Sequence, residues 1–215
     1  MTAEAGRLEQ RPAAEAPNEG HEGSAEIRTG AHPVAGGTDT TILGVLLFIA
    51  SEAMFFAGLF AAYFTLRTKA TTWPPGDIHL DLPLAAALTV VLVSSSFTME
   101  GAVRAIQAGD RRRMVRWLSV TLGLGLLFLA GQLYDYATLD FSFSSGVYGA
   151  AFFTMTGFHG AHVAGGVVAM FAMLGRASQG QFTARHHAAV VGVSAYWHFV
   201  DLIWVALFST LYLLR

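Results

Sequence analysis

The stretch TILGVLLFIASEAMFFAGLFAAYFTL, residues 41–66, carries a single acidic or basic side chain, Glu52. Coiled as a helix at ~1.5 Å per residue it reaches ~39 Å, enough to cross a hydrocarbon core ~30 Å thick with some tilt. Four further runs of the same kind follow, over 82–106, 114–136, 147–174 and 188–214. Each is roughly 23–28 residues long, the length of a spanning helix. The breaks between them hold turn and charge signals. These are Trp73-Pro74-Pro75-Gly76-Asp77, Gly109-Asp110-Arg111-Arg112-Arg113, and the segments 140–146 and 175–187. The expected fold is an all-α membrane protein, a bundle of five transmembrane helices over 41–215.

Composition points the same way. Hydrophobic residues make up 53% of the chain and charged residues 13%, against about 25% charged in soluble domains. Mean hydropathy is +0.48, although residues 1–40 are polar and hold seven of the fifteen acids. That first segment, rich in Ala, Glu, Gly and Pro, buries too little apolar surface to offset its ordering entropy and is expected to be a disordered tail. It lacks the apolar central region of a secretory signal, and His21 and His32 within it read as solvated. A net charge of -2 gives no footing for a nucleic-acid partner. The absence of cysteine excludes disulfides, Cys-zinc sites and Cys-ligated clusters.

The basic residues set an orientation. Arg7, Arg11 and Arg28 of the tail, Arg104, Arg111, Arg112, Arg113 and Arg116 around the second connection, and Arg176 and Arg185 around the fourth all fall on one side. Only Arg67, Lys69 and Arg215 fall on the other. The positive-inside rule then predicts a cytoplasmic N-terminus and an external C-terminus.

Ionisable groups at membrane depth are costly and therefore informative. Glu52 lies twelve residues into its span, near the midplane; ionised there it costs at least ~3 kcal/mol, so it must face protein or water, or carry a proton. A proton-relay acid, a metal ligand and a helix-packing hydrogen bond are all compatible with it. His159 and His162 are spaced i, i+3 and share a helix face. His198 and Asp201 repeat the spacing on the last span. Together with Glu52 they could bind zinc or iron within a bundle. Alternatively they tie helices together, with Asp201 orienting an imidazole. The pattern of a zinc protease is absent, since no Glu stands between the histidines to act as base. Glu100 and Arg104, spaced i, i+4, predict an intrahelical ion pair. Gly123, Gly125, Gly165 and Gly166 are candidates for close helix contact. Arg111, Arg112 and Arg113 read as a topology signal that also suits anionic lipid.

Several of these motifs, in this order, resemble subunit III of the haem-copper oxidases. Ser51-Glu52 with Phe55-Phe56 and Gly58 is similar to the family's SExxFFxG stretch. Gly109-Asp110-Arg111 is similar to its short GDR loop. Residues 145–163, SGVYGAAFFTMTGFHGAHV, resemble its longest block, and Tyr196-Trp197-His198-Phe199-Val200-Asp201 resembles its YWHFVD motif. The resemblance covers residues 41–214. It implies the short five-helix form, lodged in the plasma membrane of a prokaryote, with no cofactor of its own. The haems and copper would belong to partner subunits I and II. It also implies a non-catalytic role in complex stability, phospholipid binding, oxygen access and sustained proton uptake. Glu52 matches the family's buried carboxylate. His159, His162, His198 and Asp201 match interior polar residues that are structural there, and Arg176 matches a basic position suited to a lipid headgroup. Asp135 stands where Glu is usual, and Glu100 has no counterpart. Readings that keep the fold are subunit III of a quinol oxidase and the accessory subunit of a nitric-oxide reductase. A stand-alone intramembrane metalloenzyme built on the histidines is the reading of another class.

Overall fold

The structure is a computed structural model that describes residues 40–75 and 78–214. Expectations for the tail, including His21 and His32, and for Gly76, Asp77 and Arg215 lie outside the described residues. Each apolar run forms one helix: α1 Thr40–Lys69, α2 Leu82–Gln107, α3 Arg111–Thr138, α4 Val147–Ser178 and α5 Ala188–Phe208. A π-helical turn, Ser209–Leu213, prolongs α5. All five are long and apolar enough to cross a membrane.

The helix ends show where apolar patterning stops being a guide. The run that becomes α3 starts at Met114 by hydropathy, but the helix starts at Arg111, because Asp110 caps it by accepting from the Arg113 amide at 2.8 Å. Gly109, at φ 79°, makes the reversal that lets α3 follow α2 after three residues. The arginines are thus the first turn of α3 rather than a loop. Asp81 caps α2 in the same way through the Leu84 amide.

The helices are not equally held. α2, α3, α4 and α5 form the packed body, whereas α1 rests on α5 and α4. In α1, 6% of the apolar window is buried, against 44% in the last helix. Trp197, at 0% exposure, is the keystone of the body. A Cβ at Gly125 of α3 would stand 2.8 Å from its ring, and one at Gly166 of α4 would stand 2.7 Å away. Of each predicted glycine pair, one member is the close contact. Gly123 faces open space, and a Cβ at Gly165 would sit at an ordinary 3.5 Å from Tyr196.

Buried polar groups join the helices in pairs. On α5, Trp197 donates to Ser95 at 2.8 Å and Trp204 to Thr89 at 2.9 Å, both on α2. Thr98 meets Thr121 of α3 at 2.8 Å, and Tyr136 of α3 meets Thr156 of α4 at 2.6 Å. At the end opposite the arginines, Trp73 donates to Tyr63 at 2.9 Å and packs edge-on against Tyr148. In lipid such bonds replace the hydrophobic drive as the specific link between helices, at about 0.6 kcal/mol each.

Candidate functional site

The polar residues predicted for the membrane interior do not gather at one point. They form two separate stations, each a carboxyl group linked to an imidazole.

The first lies between α1 and α4. His162 Nε2 is 2.9 Å from Glu52 Oε2, and its Nδ1 is 2.6 Å from the Phe158 carbonyl one turn back. A carbonyl only accepts, so Nδ1 carries hydrogen and donates. One proton therefore remains between Nε2 and the carboxylate: either the glutamic acid donates to the ring, or an imidazolium donates to the carboxylate. Phe55 stacks on the imidazole and Phe56 meets it edge-on. The pair is partly open, with 16% of the histidine side chain and 21% of the glutamate exposed. Tyr196 of α5 donates to the His162 carbonyl at 3.0 Å and so joins this station to the body.

The second lies between α2 and α5. Asp201 does not reach an imidazole directly. Its Oδ2 accepts from the Ser96 hydroxyl, and Ser96 Oγ stands 3.0 Å from His198 Nδ1. Ser96 is the functional residue that charge and imidazole content alone do not single out. Its signal was the run Ser94-Ser95-Ser96, a polar triplet in the middle of an apolar span, of which Ser95 and Ser96 both turn towards α5.

His159 belongs to neither station. It is fully buried, stacks on Trp204 with centroids 5.0 Å apart, and meets Phe128 edge-on. Its i, i+3 relation to His162 gives only a loosely shared face: one ring points into α3 and α5, the other to α1. Among the described residues no three His, Cys, Asp or Glu side chains stand together as a metal site. His162 has both nitrogens engaged, and His159 lies between aromatic rings. The described histidines therefore do not converge on a common point.

At the arginine end, Arg111, Arg112 and Arg116 line a cleft of about 520 Å³ with Val115, Ala177 and Ser178. Arg176 is engaged locally: it donates to Gln181 at 2.9 Å and covers the Phe182 ring at 5.0 Å. Glu100 and Arg104 form the expected ion pair at 2.8 Å on an exposed face. Tyr134 is 62% exposed, while Gln132 and Asp135 beside it are buried.

Five apolar helices, with a Glu52–His162 bond and an Asp201–Ser96–His198 chain near mid-helix, define a multi-pass membrane protein with polar links between its helices. Comparison with known proteins makes the class specific. A family model described as cytochrome c oxidase subunit III matches residues 24–215. A protein of Nocardia farcinica named probable cytochrome c oxidase subunit 3 is 46% identical over 177 residues, covering 80% of this chain and 87% of the relative. Cytochrome c oxidase subunit 3 of Corynebacterium diphtheriae is 44% identical over 179 residues, with the same two coverages. That of Thermostichus vulcanus is 40% identical over 177 residues, 82% of this chain and 88% of the relative. The chain belongs to the cytochrome c oxidase subunit III family and is a membrane subunit of that type.

Proposed function

We propose that this chain works as a non-catalytic partner of the haem- and copper-bearing subunits I and II of a cytochrome c oxidase, in the plasma membrane of a prokaryote. It supplies packing, phospholipid binding and support for oxygen access and sustained proton uptake. Its N-terminus lies in the cytoplasm and its C-terminus outside. One observation carries the reading: among the described residues the intramembrane acids Glu52 and Asp201 are engaged in bonds between helices, with His162 and Ser96 respectively, which supports an interior that holds shape. The positive charge on one end supports the orientation. Arg111 and Arg112, over an apolar floor of Val115 and Ala177, suit the phosphate and first methylenes of an anionic phospholipid. Arg176 extends that basic margin at the end of α4.

The test is purification of the tagged chain from its native membranes in mild detergent. A haem-bearing complex with partner subunits, and no stoichiometric metal on the separated chain, is the expected result. A chain that purifies alone, or that carries zinc or iron of its own, defeats the reading.

A further inference from the structure

We propose that Asp201, Ser96 and His198 form a proton-holding relay, carrying one proton between a carboxyl group buried on α5 and an imidazole at the edge of the bundle. The hydroxyl of Ser96 touches both ends, Asp201 Oδ2 on one side and His198 Nδ1 at 3.0 Å on the other. A hydroxyl has one hydrogen to give and lone pairs to receive, so it can face either way. With the proton on Asp201, the acid donates to Ser96 Oγ and the serine donates to His198 Nδ1. With the proton on His198, Nδ1–H donates to Ser96 Oγ and the serine donates to the carboxylate. The same three groups serve both arrangements. The passage breaks one O–H bond at each oxygen and forms one O–H and one N–H, moving one proton in total. The first arrangement separates no charge and is the one hydrocarbon favours.

Position gives the relay a direction. Asp201 is 6% exposed, and its Oδ1 is buried without a hydrogen bond. His198 and Ser96 are half-buried. The half-buried His198 ring turns Nδ1 to Ser96, which leaves Nε2 as the end of the relay farther from Asp201. The other titratable groups described on the surrounding helices have partners of their own: Asp135 of α3 accepts from Gln132 and Tyr212, and Tyr196 donates to the His162 carbonyl. Glu52 of α1 and His162 of α4 bond one another, His159 of α4 lies between Phe128 and Trp204, and Glu100 of α2 pairs with Arg104. The relay therefore exchanges its proton through Nε2, with water or a polar group on a neighbouring transmembrane partner. It rests on the helices lying in lipid and not on the oxidase complex.

Infrared spectroscopy of the full chain in phosphatidylglycerol–phosphatidylethanolamine nanodiscs tests it. The Asp201 carboxyl band is identified by its loss in Asp201→Asn, and its shift after transfer to D2O gives the exchange rate. In Ser96→Ala exchange should slow by about tenfold or more, an added barrier of at least ~1.4 kcal/mol, and Ser96→Thr, which keeps the hydroxyl, should restore it. If Ser96→Ala does not fold, His198→Gln, at the half-buried end, should give the same slowing. A wild type with no such band, or exchange at the wild-type rate in the serine and histidine variants, overturns the relay.

Discussion

Glu52 and Asp201 both lie near the middle of their helices; Glu52 bonds His162 of α4 directly, whereas Asp201 reaches His198 of its own helix only through Ser96 of α2. Their settings differ in how much structure stands behind them. The Glu52–His162 pair joins α1, the least buried helix, to α4, and part of both side chains faces outward. The Asp201 unit is built into the α2–α5 contact, between the tryptophan bonds Trp197–Ser95 and Trp204–Thr89. A direct bond on a loosely held helix can open when that helix moves. A serine-bridged bond inside a packed seam opens only if the seam does. The comparison predicts that damage to the second region lowers the stability of the whole bundle in proportion to the packing lost, whereas damage to the first changes only how α1 sits.

The largest effect should come from the keystone of the packed region. Trp197→Ala removes a ring seated against Gly125 and Gly166 together with its bond to Ser95, and should destabilise the chain by about 3–5 kcal/mol in detergent unfolding. A loss below about 1 kcal/mol would mean that the body tolerates a large void, a sign that packing there is looser than these contacts require. Asp201→Leu comes next. It leaves Ser96 free to keep His198 Nδ1 as partner, so no imidazole is orphaned. The cost should be about 1 kcal/mol, one interhelical bond, read as a modest fall in melting temperature. A loss of several kcal/mol would place a direct Asp201–imidazole contact in the folded chain.

These two predictions also mark what the sequence could and could not tell. Hydropathy was enough for the five helices, because a lipid solvent leaves only one class of solution for an apolar run of that length. It could not set the start of α3, which the Asp110 side chain decides. Glu52, His159, His162, His198 and Asp201 stood out because charge and imidazole are rare in such runs. Their partners did not. Serine and threonine occur in many membrane helices without function, so Ser96 was indistinguishable from Ser94 until α5 lay beside it. Spacing of i, i+3 placed His159 and His162 near one another on α4, but the rotation of 60° between them is enough to send one ring to Trp204 and the other to Glu52. Arg176 read as a lipid contact from its position; the structure adds the Gln181 and Phe182 contacts that occupy it.

On the loosely held side, Glu52→Ala should leave the oxidase complex assembled and shorten its endurance during turnover, because an α1–α4 tie is lost without a change in the packed body. Spin labels on α1 and α4 should show a broader distance distribution than in the wild type. Loss of haem or copper from the purified mutant complex would contradict the prediction, since it would make the Glu52 pair a support of the whole assembly and erase the contrast with Asp201.

The smallest effect belongs to a third acid–base pair, which sharpens the comparison by removing depth from it. Glu100 and Arg104 share the i, i+4 spacing on α2 and bond at 2.8 Å, but both are exposed near the arginine-rich end. Water and ions there screen the attraction and solvate either partner alone. A double-mutant cycle of Glu100→Gln and Arg104→Gln should give a coupling of about 0.3–0.5 kcal/mol that weakens with added salt. The same cycle on Glu52 and His162 should be larger and nearly independent of salt, since ions do not enter lipid. Equal couplings for the two pairs would show that water reaches the Glu52 station as freely as it reaches the surface. The contrast between the two intramembrane stations would then be one of solvent access rather than of helix packing.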